Sequence, residues 1–221
     1  MKSETKIYLI RHGAIENPDD VIYGRLPGFG LSEKGKEQVR QLAQILNSKG
    51  IKFDVIYSSP LDRAVQTAQI LNNQVGDTDI EIREELSDVS HASLEGQPLD
   101  VLRKVEFDAY RPEFLVEGGE TPQAIINRTK QLLDEVKQKH RSETIALVSH
   151  GDPIRLLLWS LQNPDRQPST SNLRDKDYVG PAQACVLHFD NQGRFARFEH
   201  IRRESESLQE EDPNKQRLKE A

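Results

Sequence analysis

Three short apolar runs, Ile7-Tyr8-Leu9-Ile10, Phe53 to Tyr57 and Thr144 to Ser149, each give way to charged or imidazole side chains. A short apolar run bounded by a glycine reads as a strand buried on both faces, the pattern of an α/β protein. Reactive side chains in such sheets gather at the carboxyl edge, where strands end. The first run ends in Arg11-His12-Gly13. The second leads through Ser58-Ser59-Pro60-Leu61-Asp62 to Arg63, and the third ends in His150-Gly151-Asp152-Pro153. Two arginines and two histidines are therefore expected at one edge of one sheet.

Helical periodicity fills the intervals. Ser32 reads as an N-cap, with Val39, Leu42, Ala43 and Leu46 at helical spacing and Lys49-Gly50 as the stop. A second helix follows Asp62-Arg63 through Leu71, which puts Arg63 in its first turn. Helix N-termini favour anions, so a cation there does nothing for the helix and points to a negative ligand. Leu99 to Tyr110 and Thr121 to His140 also read as helices, the latter with Ile125, Ile126, Thr129, Leu132, Leu133 and Val136 on one face. Pro153 suits a first helical position, so His150 stands just before a further helix through Leu161. Asp79 to Arg83 reads as a short edge strand. Ala184 to Phe189 and Arg194 to Ile201 flank Asp190-Asn191-Gln192-Gly193 as a hairpin.

The remaining stretches are loops. Ala14 to Gly30 is rich in Pro, Gly, Asn and Asp, and leaves the first strand where loops commonly build pockets. It carries Asn17, Tyr23, Gly24 and Arg25. Glu84 to Pro98 is polar and irregular, and holds Asp88, His91 and Glu95. Residues from Ser87 to about Glu120 are expected to form a lobe over the carboxyl edge. The chain then divides into one domain, 1–201, and a strongly charged tail, 202–221, with almost no apolar residues.

With a net charge of −6, the chain has no basic footprint for nucleic acid or an anionic membrane surface. No apolar run approaches a membrane span, and Met1 to Lys6 lacks the apolar core of a signal peptide. The single cysteine, Cys185, excludes an intrachain disulfide. These features lead to the expectation of a cytoplasmic protein. A homo-oligomer is left open. No zinc-ligand spacing occurs, so neither a metal nor another cofactor is expected.

A neutral imidazole is a nucleophile near neutral pH, and a neighbouring arginine holds a dianion. Two arginines and two histidines together suit a phosphoryl group: one histidine attacks phosphorus, and the others neutralise the spreading charge.

The blocks resemble those of the histidine phosphatase, or phosphoglycerate mutase-like, superfamily. Arg11-His12-Gly13 resembles its first signature, and Leu31-Ser32-Glu33-Lys34-Gly35 its next block. Tyr57 to Ala64 with Thr67-Ala68, Gly118-Gly119-Glu120-Thr121, and Val148-Ser149-His150-Gly151 resemble later ones in family order. The resemblance spans roughly Lys6 to Ile201. It implies a three-layer α/β/α sandwich with a mostly parallel sheet and the lobe above it. It also implies His12 as the phosphorylated nucleophile, with Arg11, Arg63, His150 and Gly151 around the phosphate. Asn17 is expected to contact phosphate as well.

Two blocks depart from the family. Ala14-Ile15-Glu16-Asn17 replaces the usual Glu-Thr or Glu-Ser and Trp-Asn. The acid block is best matched by Asp88-Val89-Ser90-His91-Ala92-Ser93-Leu94-Glu95-Gly96, with Asp for Glu, Ala for Gly and Leu for Trp. Asp88 is expected to donate the leaving-group proton, its pKa raised by burial under the lobe, while Asp152 caps its helix. The implied activity is hydrolysis of a small phosphomonoester. The alternatives are a phosphoglycerate mutase-type transfer, which would need further cations such as Arg103, Lys104 or Arg111, and a catalytically weak phosphate-binding regulator.

Overall fold

The structure is a computed structural model that describes residues 5–115, 118–168, 173–190 and 192–203. Six strands form one sheet: β1 (Lys6–Arg11), β2 (Val55–Ser58), β3 (Ile80–Ile82), β4 (Thr144–Ser149), β5 (Ala184–Phe189) and β6 (Phe195–Ile201). Their order is β3-β2-β4-β1-β5-β6. The pairs β3–β2, β2–β4 and β4–β1 are parallel, and β5 runs antiparallel to both its neighbours.

Helices α1 (Glu33–Ser48), α2 (Asp62–Val75), α4 (Pro122–Lys139) and α5 (Gly151–Gln162) cover the sheet, and α3 (Asp100–Arg103) lies in the lobe. Side chains of a strand alternate between faces, which decides what each helix packs against. Tyr8, Ile10, Ala146 and Val148 pack with Val39, Leu42, Leu46, Ala64 and Leu71 of α1 and α2. Ile7, Leu9, Ile145 and Leu147 pack with Leu132, Leu133, Val136, Ile154 and Leu158 of α4 and α5. The chain is thus an α/β/α sandwich, and burial of both faces is why its central strands read as unbroken apolar runs.

The caps hold these helices in place. Ser32 Oγ accepts the Gly35 amide at 3.0 Å, and Thr121 Oγ1 accepts the Ala124 amide at 3.2 Å. Gly35 is also a close-approach position: a Cβ there would lie 1.9 Å from the Ala14 carbonyl oxygen. Only glycine lets the first turn of α1 press against the backbone that leaves His12.

The expected helix Leu99 to Tyr110 is not formed. One turn, α3, ends at Arg103, and the chain then reverses through Glu106 and Phe107 with φ of +52° and +61°. The reversal folds Leu99, Leu102, Phe107 and Ala109 onto Ile22 and Leu94 as a separate small core, which a straight helix could not bury. The charged tail from Glu204 onward lies outside the described residues. Among the described residues, no helix is long and apolar enough to cross a membrane.

Candidate active site

Strand register brings the reactive groups together. Arg11 stands opposite Ser149 across β1–β4, so the next residues, His12 and His150, leave the sheet side by side with ring centroids 5.0 Å apart. Ser58 stands opposite Val148 across β2–β4, which carries Ser59 to the same edge. Arg63 follows in the first turn of α2.

All four expected groups are buried. Arg63 is 1% exposed, the largest fully buried side chain among the described residues. Its Nη2 donates to the Gly24 carbonyl and to Asp88 Oδ2, both at 2.8 Å, and its guanidinium lies 4.8 Å from the Tyr23 ring centroid. Arg11 Nη1 donates to the Val179 carbonyl at 3.2 Å. Two guanidinium groups inside a protein strongly favour an anion between them.

The tautomer of His12 is fixed by its partner. Nδ1 lies 2.7 Å from the Gly13 carbonyl oxygen, which can only accept, so Nδ1 carries the proton and the Nε2 lone pair is left for attack. Burial, then the charges of His150, Arg63 and Arg11, hold the His12 pKa well below its ordinary value. His12 is therefore neutral at physiological pH. His150 is neutral for the same reasons: burial first, then Arg63 and Arg11, then Arg128 and Arg25. Its Nε2 meets Ser59 Oγ at 2.8 Å, and its buried Nδ1 has no hydrogen-bond partner among the described residues. Nδ1 is 3.4 Å from Asp88 Oδ2. Ser59 sits inside the Tyr57 to Arg63 block but was not read from the sequence as a site residue.

Gly151 lines the cleft, and it must be glycine: a Cβ there would lie 2.2 Å from Tyr178 Oη and 3.2 Å from Arg11 Cζ. Asn17 is not among the residues that line the cleft. Its Nδ2 donates to the Val21 carbonyl at 3.0 Å and its Oδ1 accepts the Val21 amide at 3.2 Å, so its amide closes its own loop.

Two carboxylates also depart from expectation. Burial does push the Asp88 pKa up, but Arg63, His12, the Val89 amide and His91 together outweigh it and hold the carboxyl below the ordinary aspartate value. In this structure Asp88 is ionised. Asp152 does not cap α5; its two oxygens accept the hydroxyls of Tyr178 at 2.9 Å and Tyr110 at 3.0 Å.

His12, Asp88 and His150 each offer one ligand atom, all within 4.8 Å of one another. The donor types suit a metal, but the surrounding guanidinium groups create a positive field that opposes a dication and attracts a dianion. The cleft that holds Arg11, His12 and Asp88 is also lined by Ile22, Leu99, Leu102, Phe107 and Arg174.

Comparison with known proteins identifies the family. Residues 7–199 match the model of the histidine phosphatase superfamily (branch 1). Phosphoserine phosphatase 1 of Hydrogenobacter thermophilus is 35% identical over 178 residues, covering 72% of this chain and 77% of that protein. A 2,3-bisphosphoglycerate-dependent phosphoglycerate mutase of Parvibaculum lavamentivorans is 31% identical, covering 70% and 79%. The crystal structure of a phosphoserine phosphatase from Entamoeba histolytica, in complex with 3-phosphoglyceric acid, superposes with a TM-score of 0.70. It is 27% identical and covers 90% of this chain and 98% of that one.

Proposed function

Because the chain belongs to the histidine phosphatase superfamily, we propose that it hydrolyses a small phosphomonoester through a phosphohistidine on His12. The observation that carries this reading is the His12 ring itself: neutral, with Nδ1–H held by Gly13, beside two buried guanidinium groups. The phosphoryl group sits between Arg11, Arg63 and His150 Nδ1. His12 Nε2 forms a bond to phosphorus as the bond to the ester oxygen breaks, and the arginines hold the equatorial oxygens. The departing alkoxide takes a proton. Water then attacks the phosphohistidine, releasing inorganic phosphate and restoring His12.

Asp88 is the donor in this scheme. It is ionised without substrate, because Arg63 lies against it. A dianion between the arginines offsets that charge, and a buried carboxyl then gains proton affinity. The proton reaches the leaving oxygen in the first step and is recovered from the attacking water in the second.

Two of the three lobe cations that a mutase could use are engaged by carboxylates, which favours the phosphatase reading. Mutase-type transfer needs cations for the far anionic end of a phosphoglycerate. Arg103 is held by Asp20 at 2.7 Å and Asp100 at 2.6 Å, and Arg111 lies near Glu113 and Asp108. The cytoplasm suits a chain whose one cysteine is a buried thiol.

The deciding experiment is rapid acid quench of purified protein with ³²P-labelled phosphoserine and a panel of phosphorylated metabolites. Acid-labile label is expected on the peptide containing His12, with inorganic phosphate as product. Label on another residue would overturn the assignment, and an isomerised phosphoester as product would establish the mutase reading. Turnover is expected to persist in excess chelator, because guanidinium groups supply the positive charge. Vanadate is expected to inhibit, as a mimic of the five-coordinate transition state. Loss of activity in chelator, restored by magnesium or zinc, would contradict the metal-free mechanism.

A further inference from the structure

Three charged side chains from distant parts of the chain converge behind Asp88, and none enters the reaction above. Arg25 comes from the loop after β1, Glu120 from the end of the lobe and Arg128 from α4. Arg25 Nε donates to the Asp88 backbone carbonyl at 2.8 Å, and Arg128 Nη2 donates to the same oxygen at 3.2 Å. Glu120 joins the two cations. Its Oε2 accepts Arg25 Nη2 at 2.6 Å and Arg128 Nη2 at 3.1 Å, and its Oε1 accepts Arg128 Nε at 2.8 Å. The Ser90 amide adds a fourth hydrogen bond to Glu120 at 3.2 Å. Arg128 Nη1 reaches the Glu85 carbonyl at 2.6 Å, which anchors the other side of the Asp88 segment.

We propose that Glu120 is a positioning residue for the proton donor, clamping Arg25 and Arg128 onto the Asp88 carbonyl and thereby setting the reach of the Asp88 carboxyl. The proposal rests on the reading of Asp88 as that donor.

Two physical arguments support it. An aspartate is one methylene shorter than a glutamate, so its carboxyl finds the leaving oxygen only if its backbone is held close. The clamp grips that backbone, at the one carbonyl whose displacement moves the carboxyl directly. Loss of about 1 Å of registration at a reacting group is enough to cost roughly a hundredfold in rate. The second argument is charge. Arg25 and Arg128 both bear on His150 through space. Glu120 lies against both guanidinium groups and offsets part of that charge at the edge of the buried site.

The carboxylate is specific to this task. Two guanidinium groups at hydrogen-bond distance need acceptors only, and both Glu120 oxygens accept. In Glu120→Gln one oxygen becomes an NH₂ donor facing an arginine N–H, at nearly the same volume. The clamp opens without a cavity.

The test compares a substrate that needs leaving-group protonation with one that hardly does. Phosphoserine has a poor alkoxide leaving group and p-nitrophenyl phosphate a good one. Glu120→Gln is expected to lower kcat on phosphoserine roughly tenfold or more beyond its effect on p-nitrophenyl phosphate. The basic limb of its phosphoserine pH profile should move to lower pH, because the uncovered positive charge favours ionised Asp88. Glu120→Asp, with both oxygens kept, should recover part of the loss. Asp88→Asn should show the same substrate contrast, and the double variant Asp88→Asn/Glu120→Gln should lose little more than Asp88→Asn alone.

Equal losses on both substrates would show that Glu120 only supports the lobe, and would overturn the inference. So would full additivity in the double variant. If Glu120→Gln does not fold, Arg128→Lys keeps the charge but loses the planar fork, and must show the same contrast. Absence of a contrast in Asp88→Asn itself, with His12 still labelled, would remove Asp88 as donor and this inference with it, leaving the phosphatase reading intact.

Discussion

His12→Ala is expected to abolish phosphoenzyme and to lower kcat/KM by about 10⁴-fold or more, the scale on which covalent enzymes lose activity when the nucleophile is removed. The other phosphate-holding groups remain in this variant, so phosphate or vanadate should still bind. That combination separates loss of the nucleophile from loss of the pocket. The measurement is rapid-quench labelling with steady-state turnover and vanadate titration. Undiminished labelling would place the covalent bond elsewhere. The wild-type pH profile carries a matching expectation. Protonated His12 cannot attack, and burial with three neighbouring cationic or imidazole groups holds its pKa well below the ordinary value. The acidic limb of kcat/KM assigned to His12 should therefore lie below the ordinary range of histidine titration, not near pH 6.5.

Arg63→Ala is expected to lower kcat by roughly a hundred- to a thousandfold, the scale for losing one preorganised donor at a developing charge. A second loss accompanies it. Asp88 keeps its burial but loses the cation at 2.8 Å, so its pKa should rise. The basic limb of the pH profile should then shift upward if protonated Asp88 is the acid, because the protonated form survives to higher pH. Arg63→Lys should recover little, since an ammonium cannot reach the Gly24 carbonyl, Asp88 and phosphate in the fixed plane of a guanidinium. A lysine variant with near-normal kcat would show that charge alone suffices. A thermal unfolding midpoint checks that the fully buried site tolerates the changes.

The parts of the site that were legible in the sequence share one property: each is announced by its own neighbours. Arg11 and His12 follow an apolar strand directly. His150 stands between a strand and a helix that begins Gly151-Asp152-Pro153, and Arg63 is a cation where a helix start has no use for one. Burial patterns a few residues long decide such features. Asn17 also closes its own loop through Val21, a local pairing that the composition of the loop does not announce. The lobe helix failed because its leucines and phenylalanine had to reach Ile22, and a chain reversal achieved that where helical propensity did not.

The sequence by itself determined the alternation of buried strands and amphipathic helices, the Ser32 cap, and the four groups delivered to strand ends. Those follow from side-chain burial and local hydrogen bonding, which act over a turn of helix or a few strand residues. Only the tertiary structure decided that β1 lies between β4 and β5, which brings His12 beside His150 although about 140 residues separate them in sequence. It alone decided that Asp88 meets Arg63 and is ionised, that Ser59 holds His150, and that Glu120 gathers Arg25 and Arg128 behind the Asp88 carbonyl. Charge acts through space over a few ångströms, and a chain's own order does not specify which of its charged groups come within that distance.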